Sequence, residues 1–195
     1  MGALEPEAKE TLYTADFKNQ IGDFDAADFL KIWFARADQT GGIVDATMFA
    51  DQQTYLPNDL LVKVDIASMA NSLEARSPLL DHKVIEFAAS LPENLKMRGF
   101  ETKSLLKKVG AKLVPPEVIY RRKMGFGVPL GSWFRGALKD FVKQTLLTEQ
   151  FERRGIVRRR YVENLIEEHL QSKQDHGWKL WVLIMLELWF QEFID

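Results

Sequence analysis

Apolar residues recur at helical spacing along almost the whole chain. In WKLWVLIMLELWFQEFI, Trp178, Trp181, Val182, Met185, Leu186, Trp189, Phe190 and Phe193 follow the i, i+3, i+4, i+7 rule of one helical face. Leu180, Leu183, Ile184 and Leu188 add a second apolar face. The pattern predicts a helix buried on most sides, its rings filling a core rather than stacking on a cofactor. The same period predicts helices over Ala26–Ala35, Asp45–Tyr55, Asn58–Ser72, His82–Ser90, Thr102–Leu113, Ala137–Leu147 and Arg158–Gln171. Asp81 precedes its helix as an N-cap. LVPPEVIYRR reads as a break followed by a short helical turn with proline at its start. There is no β-alternation of useful length and no internal repeat. ADQTGG and LPENLKMRG read as linkers, both too short to separate domains. The expectation is one all-α domain over residues 1–195.

Composition narrows the chemistry. A net charge of −2 argues against a general nucleic-acid or membrane binder. The chain has no cysteine, which excludes thiol nucleophiles, disulfides and thiolate metal sites and fits a cytoplasmic protein. The opening MGALEPEAKE lacks the basic and apolar regions of a signal peptide. His82, His169 and His176 show no metal-ligand spacing and read as surface or packing residues. RRGIVRRR places Arg158, Arg159 and Arg160 near a helix start, where cations oppose the macrodipole, with Glu163 in reach of Arg159 and Arg160. TGGIVDA is one residue too long for an SGGxDS pyrophosphate loop and follows a charged helix end rather than a buried strand.

Two stretches carry candidate chemistry. In the segment from Tyr55 to Pro92, Leu60, Leu61, Val64, Ala67, Ser68 and Ala75 suggest a helix packed closely against a neighbour. Asp59 and Asp65 lie on different faces of that helix. Glu74 and Arg76, two residues apart and followed by proline, read either as an ion-pair corner or as a fixed acid–base pair at the rim of a cleft. In RRKMGFGVPL, Gly125 and Gly127 allow backbone that other residues avoid, and Pro129 discourages a helix just before it. This is a shaped loop with Lys123 at its mouth, either phosphate-handling or a tight corner between helices.

YLPNDLLVKVDIASMANSLEARSPLLDHKVIEFAASLP, then TKSLLKK, then RRKMGFGVPLGSWFRGAL, resemble in order and spacing the C-terminal part of glutamine-dependent asparagine synthetases. The closing DHGWKLWVLIMLELWFQEFID is similar to that family's last helix. The resemblance implies the helical half of an ATP-pyrophosphatase-type synthetase domain. Such a domain forms β-aspartyl-AMP from aspartate and ATP with Mg²⁺, and ammonia from glutamine then displaces AMP. It further implies that Lys123 neutralises phosphate charge, that Gly125 and Gly127 let the loop close, and that Glu74 positions or deprotonates the amine. Arg76 would anchor Glu74 or hold a substrate carboxylate. The chain lacks the SGGxDS loop, the βα nucleotide-binding layer and the N-terminal cysteine of the glutaminase. The expectation is therefore a C-terminal piece of a longer protein, inactive alone, which self-associates through its uncovered face. A related ligase acting on another carboxylate, or a helical interaction module without chemistry, are the rival readings.

Overall fold

The computed structural model describes residues 6–37, 42–122 and 127–195. The fold is mostly helical, and the described residues form a single two-stranded antiparallel sheet. In chain order the first helices are α1 (Pro6–Leu12), α2 (Ala15–Ile21), α3 (Asp28–Ala37), α4 (Ile43–Gln53), α5 (Val62–Met69), α6 (His82–Ser90) and α7 (Glu93–Lys96). Strands β1 (Met97–Arg98) and β2 (Glu101–Thr102) follow. Then come α8 (Ser104–Gly110), α9 (Pro116–Ile119), α10 (Leu130–Arg135), α11 (Lys139–Leu146), α12 (Glu149–Arg153), α13 (Arg159–Leu170) and α14 (Gly177–Phe193). The sequence reads as one domain; the structure gathers the chain into two compact units, Met1–Asp23 with Met124–Asp195, and Phe24–Lys123. Among the described residues no helix is long and apolar enough to cross a membrane.

The first unit closes a continuous apolar core that includes Leu12, Phe134, Val142, Leu146, Leu183 and Ile184. α13 shows how the sequence builds it. Val162, Leu165, Ile166 and His169 fall at i, i+3, i+4, i+7 and are all buried, while Glu163 and Glu167 stay exposed. Thr148 caps α12 by accepting the Phe151 N–H at 3.1 Å. The end of α1 is fastened to the start of α13, where the Leu12 carbonyl accepts the Arg158 N–H at 2.8 Å.

α14 overturns the expectation for its faces. Its buried residues are Gly177, Leu180, Leu183, Ile184 and Glu187. Part of the aromatic stripe expected in the core points outward, with Trp178 60%, Met185 44%, Trp189 49% and Phe193 68% exposed, while Trp181 packs against the core. Both faces are apolar, so the period forms the helix without choosing its inward side. That side carries Glu187, fully buried and neutralised by Arg154, whose Nε and Nη2 donate to the carboxylate at 3.1 and 3.2 Å. Arg154 also donates to Asp195 at 2.6 and 2.5 Å and lies 4.7 Å over the Phe190 ring. The hydrogen bonds it donates to Asp195 and then to Glu187 hold the guanidinium proton more tightly than usual.

The second unit is packed differently. Among its described residues only Ala37, Ala46 and Ala50 are buried apolar side chains. α3 and α4 pair through Trp33 and Phe49, ring centroids 6.2 Å apart edge to face. LPENLKMRG, expected to be a linker, fastens this unit instead. Glu93 of α7 accepts the Val44 N–H at 3.0 Å and so caps α4. Lys96, its side chain 7% exposed, donates to Asp45 at 2.5 Å and to the Ala89 carbonyl at 2.8 Å. The chain then turns through Gly99, whose φ of 60° is left-handed, to pair Met97 with Thr102. In ADQTGG, residues 38–41 lie outside the described residues. Asp81 caps α6 as predicted, accepting the Lys83 N–H at 2.9 Å.

The stretch Asn58–Ser72, expected to be one closely packed helix, is helical as far as Met69 but not closely packed. A π-helical turn over Leu56–Leu61 leads into α5, and Val62, Val64, Ile66 and Met69 are 47%, 50%, 64% and 55% exposed. VKVDIASM mixes charge among its apolar positions, so no single stripe gathers to one side.

Two outcomes follow for the purified chain. Arg154→Met strands a buried carboxylate and lowers the melting temperature by roughly 5 °C or more, whereas Arg154→Met with Glu187→Leu recovers most of the loss; thermal unfolding followed by circular dichroism measures both. The uncovered apolar side chains of the second unit bind a hydrophobic dye or drive self-association at micromolar concentration. A clean monomer in analytical ultracentrifugation with negligible dye binding contradicts this.

Candidate functional site

The second unit holds an open groove of about 670 Å³. The π turn supplies Pro57 and Leu61 to its wall, α5 supplies Val64 and Asp65, and the irregular segment before α6 supplies Ala75, Arg76 and Ser77. π turns insert one residue into a helix and are frequent at functional sites. This one shifts Leu61 and the start of α5 relative to an unbroken helix. At the far end of α5 the chain reverses through Ser72, a non-glycine residue at φ 56°. The Ser68 carbonyl accepts the Leu73 N–H at 3.0 Å, which closes the helix before the irregular segment 73–77. Glu74 and Arg76 emerge from it on the same side, since their side chains meet.

Those two residues form the predicted pair. Arg76 donates from Nε at 2.7 Å and from Nη2 at 2.5 Å, both to Glu74 Oε1. The side chains are 85% and 64% exposed, so the pair is no buried corner but a solvated one at the groove's edge. Arg76 and Asp65 put opposite charges on an otherwise largely apolar lining. Such a groove suits a small zwitterion or a carboxylate with an apolar neighbour.

The remaining sequence candidates fall elsewhere. Lys123 and Gly125 lie outside the described residues. Gly127 belongs to the other unit, and its φ is not in the left-handed region. A Cβ placed there meets no atom within 4 Å. Its backbone conformation is thus one that other residues also adopt. Among the described residues no three His, Asp or Glu side chains converge in a way that could hold a metal ion.

Sequence reasoning missed the polar networks. Arg159 does bond Glu163, at 2.8 Å, but also Glu152 at 2.8 Å. Glu187 inside VLIMLELWF was the available signal for a buried ion pair, since a lone charge in an apolar run needs a partner. His169 and His176, distant from metal-like spacing, are both buried and meet through the His176 N–H, 3.0 Å from His169 Nδ1.

The asparagine synthase family model matches residues 4–191. This chain belongs to the asparagine synthase family. It is 32% identical over 162 residues to glutamine-hydrolysing asparagine synthetase 1 of Bacillus subtilis, covering 83% of this chain and 25% of that protein. It is 36% identical over 146 residues to a putative glutamine-hydrolysing asparagine synthetase of Mycobacterium bovis, covering 74% and 22%. It is also 27% identical over 130 residues to the amidase chyE of Penicillium rubens, covering 63% and 19%. The chain spans about a quarter of the length of the asparagine synthetases it matches. No solved structure matches it.

Since both partners of the Glu74–Arg76 pair are solvated, Glu74→Gln shifts the melting temperature by less than about 2 °C. Differential scanning calorimetry checks this, and a larger fall would return Glu74 to a structural role.

Proposed function

We propose that this chain is the helical C-terminal part of an ATP-pyrophosphatase-type synthetase domain in a glutamine-hydrolysing asparagine synthetase. The observation that carries the reading is the Glu74–Arg76 pair, standing solvated at the edge of a groove within the block that resembles the synthetases. The partners are the glutaminase and nucleotide-binding regions of a longer protein, and the substrates are aspartate, ATP and ammonia.

The chemistry assigned to these residues is limited. Aspartate and ATP give β-aspartyl-AMP and pyrophosphate; ammonia then attacks the acyl carbon, the bond to AMP breaks, and the nitrogen sheds a proton. Both Arg76 hydrogen bonds use Oε1 of Glu74, which leaves Oε2 to orient the amine and accept that proton. Arg76 holds Glu74 in place and offers its outer N–H groups to a substrate carboxylate. Lys123 places a point charge beside the phosphates, and Gly125 and Gly127 allow close backbone approach. Mg²⁺ would travel with ATP, bound mainly by the nucleotide-binding region of the longer protein. A second reading is that the same module amidates a carboxylate other than aspartate, since one relative carries a name outside the asparagine synthetases.

In the longer enzyme, Lys123→Ala lowers aspartate-dependent ATP–pyrophosphate exchange on the order of 10²–10³-fold with little change in the KM for aspartate. The chain alone releases no pyrophosphate. Exchange within twofold of the parent, or release by the isolated chain that disappears on mutation, overturns the reading. Exchange stimulated by another carboxylate and not by aspartate selects the second.

A further inference from the structure

A polar cluster that the proposed chemistry does not use lies between α10, α13 and the start of α14. His169, on the inward face of α13, is fully buried. Its Nε2 lies 3.0 Å from the Gly131 carbonyl oxygen, and its Nδ1 lies 3.0 Å from the His176 backbone nitrogen. A carbonyl only accepts and a backbone N–H only donates. The ring is therefore neutral, with its hydrogen on Nε2 and its lone pair on Nδ1.

The charged groups facing this ring come from each side. Arg135 of α10 brings Nη1 to 3.5 Å from Nδ1 and bonds Asp175 at 3.2 Å. Asp175 stands 3.6 Å from Nδ1 and accepts the Gly177 N–H at 2.8 Å. The His176 ring bonds Glu168 of α13 at 2.7 Å. The backbones themselves nearly touch, since a Cβ on Gly177 would sit 3.0 Å from the Gly131 nitrogen. Gly131 is the second residue of α10, one residue after Leu130. Just before it, the Val128 carbonyl accepts the Leu130 N–H at 2.8 Å, and the Pro129 carbonyl accepts the Trp133 N–H at 3.1 Å. A bond that fixes the Gly131 carbonyl thus fixes the first turn of α10 and the backbone leading into it from Gly127.

We propose that His169 is a positioning residue whose neutral ring sets the first turn of α10 and the Gly127–Pro129 segment, and whose protonation releases them. The inference rests on the reading of Gly127 as part of a nucleotide-facing loop. Protonation leaves the Nε2 hydrogen on the Gly131 carbonyl but puts a second one on Nδ1, which opposes the His176 N–H and the Arg135 cation. The charged ring is therefore accommodated only when the cluster opens and the ring swings out, and the Gly131 contact is lost with it. Burial lowers the ring's proton affinity below its ordinary value of 6.5; the Gly131 carbonyl opposes this, Arg135 adds to it, Asp175 opposes it and His176 adds to it. The unfolded chain takes up its proton near the ordinary value and the native chain only at lower pH. The contribution of this ring to stability is therefore full above pH 6.5 and declines as the pH falls below it.

The test uses the full 195-residue chain. ¹⁵N NMR reads the His169 tautomer, and hydrogen exchange reads protection factors at the Trp133 amide against the Leu183 amide in the core of α14. His169→Phe keeps bulk and removes both bonds; His169→Gln offers one donor and one acceptor. The expected results are an Nε2–H tautomer at pH 7 and Trp133 protection lowered about tenfold in His169→Phe with Leu183 unchanged. Protection is partly restored in His169→Gln. In the wild type, Trp133 protection falls between pH 7 and pH 5 and Leu183 protection does not. An Nδ1–H tautomer, a charged ring at pH 7, unchanged Trp133 protection, or Trp133 and Leu183 loosening together each overturns the proposal. The wild-type pH series decides the matter if the variants fail to fold. Failure of Lys123→Ala to slow pyrophosphate exchange would overturn the functional reading and leave this local result standing.

Discussion

The Arg154–Glu187 ion pair determines how the first unit is assembled. A carboxylate with no exposed surface is costly unless a cation and further hydrogen bonds replace the water it has lost. Arg154 supplies the cation, and Gln191 adds a bond at 2.9 Å. With that pair in place, α14 turns Leu180, Leu183 and Ile184 inward and leaves Trp178, Trp189 and Phe193 outside. By apolar area alone the opposite orientation would win, since the outward residues are larger. The same guanidinium reaches Asp195 and covers the Phe190 ring, so one side chain ties the turn after α12 to the last turns of α14.

Much of the fold was legible because local rules decide it. Asp81 before an apolar period fixes the start of α6, Pro116 opens a short turn, and the period of Val162, Leu165, Ile166 and His169 gives α13 both its existence and its inward face. What was illegible depends on partners far along the chain. Two apolar faces on α14 leave the choice to Arg154, thirty-three positions away by the spacing of the pair. Glu93 and Lys96 look like polar linker residues until the chain ends of α4 and α6 arrive beside them. Of the candidate site, the Glu74–Arg76 contact was readable from adjacency and its exposure was not, because exposure depends on what fails to cover α5.

The two units follow different physical regimes. The first buries a contiguous set of aliphatic and aromatic side chains around α13 and α14. The second holds its helices by caps, one buried Lys96–Asp45 pair and a ring contact, with little apolar burial among its described residues. Segments with few buried contacts open at low free-energy cost, and binding elements are commonly drawn from them. The groove, the π turn and the Glu74–Arg76 pair all belong to that second, loosely held unit.

The junction of Gly131 and Gly177 constrains how this sequence can drift. A side chain on Gly131 would strike the Asp175 carboxylate, and one on Gly177 would press on the backbone of Gly131. Neither glycine can become smaller to make room for a change in the other. Asp175 cannot yield either without giving up the Gly177 N–H and Arg135. The usual route of a tolerated substitution followed by a compensating one is closed at this point. The three positions form a single unit of inheritance, alterable only if the backbones of α10 and α14 separate together.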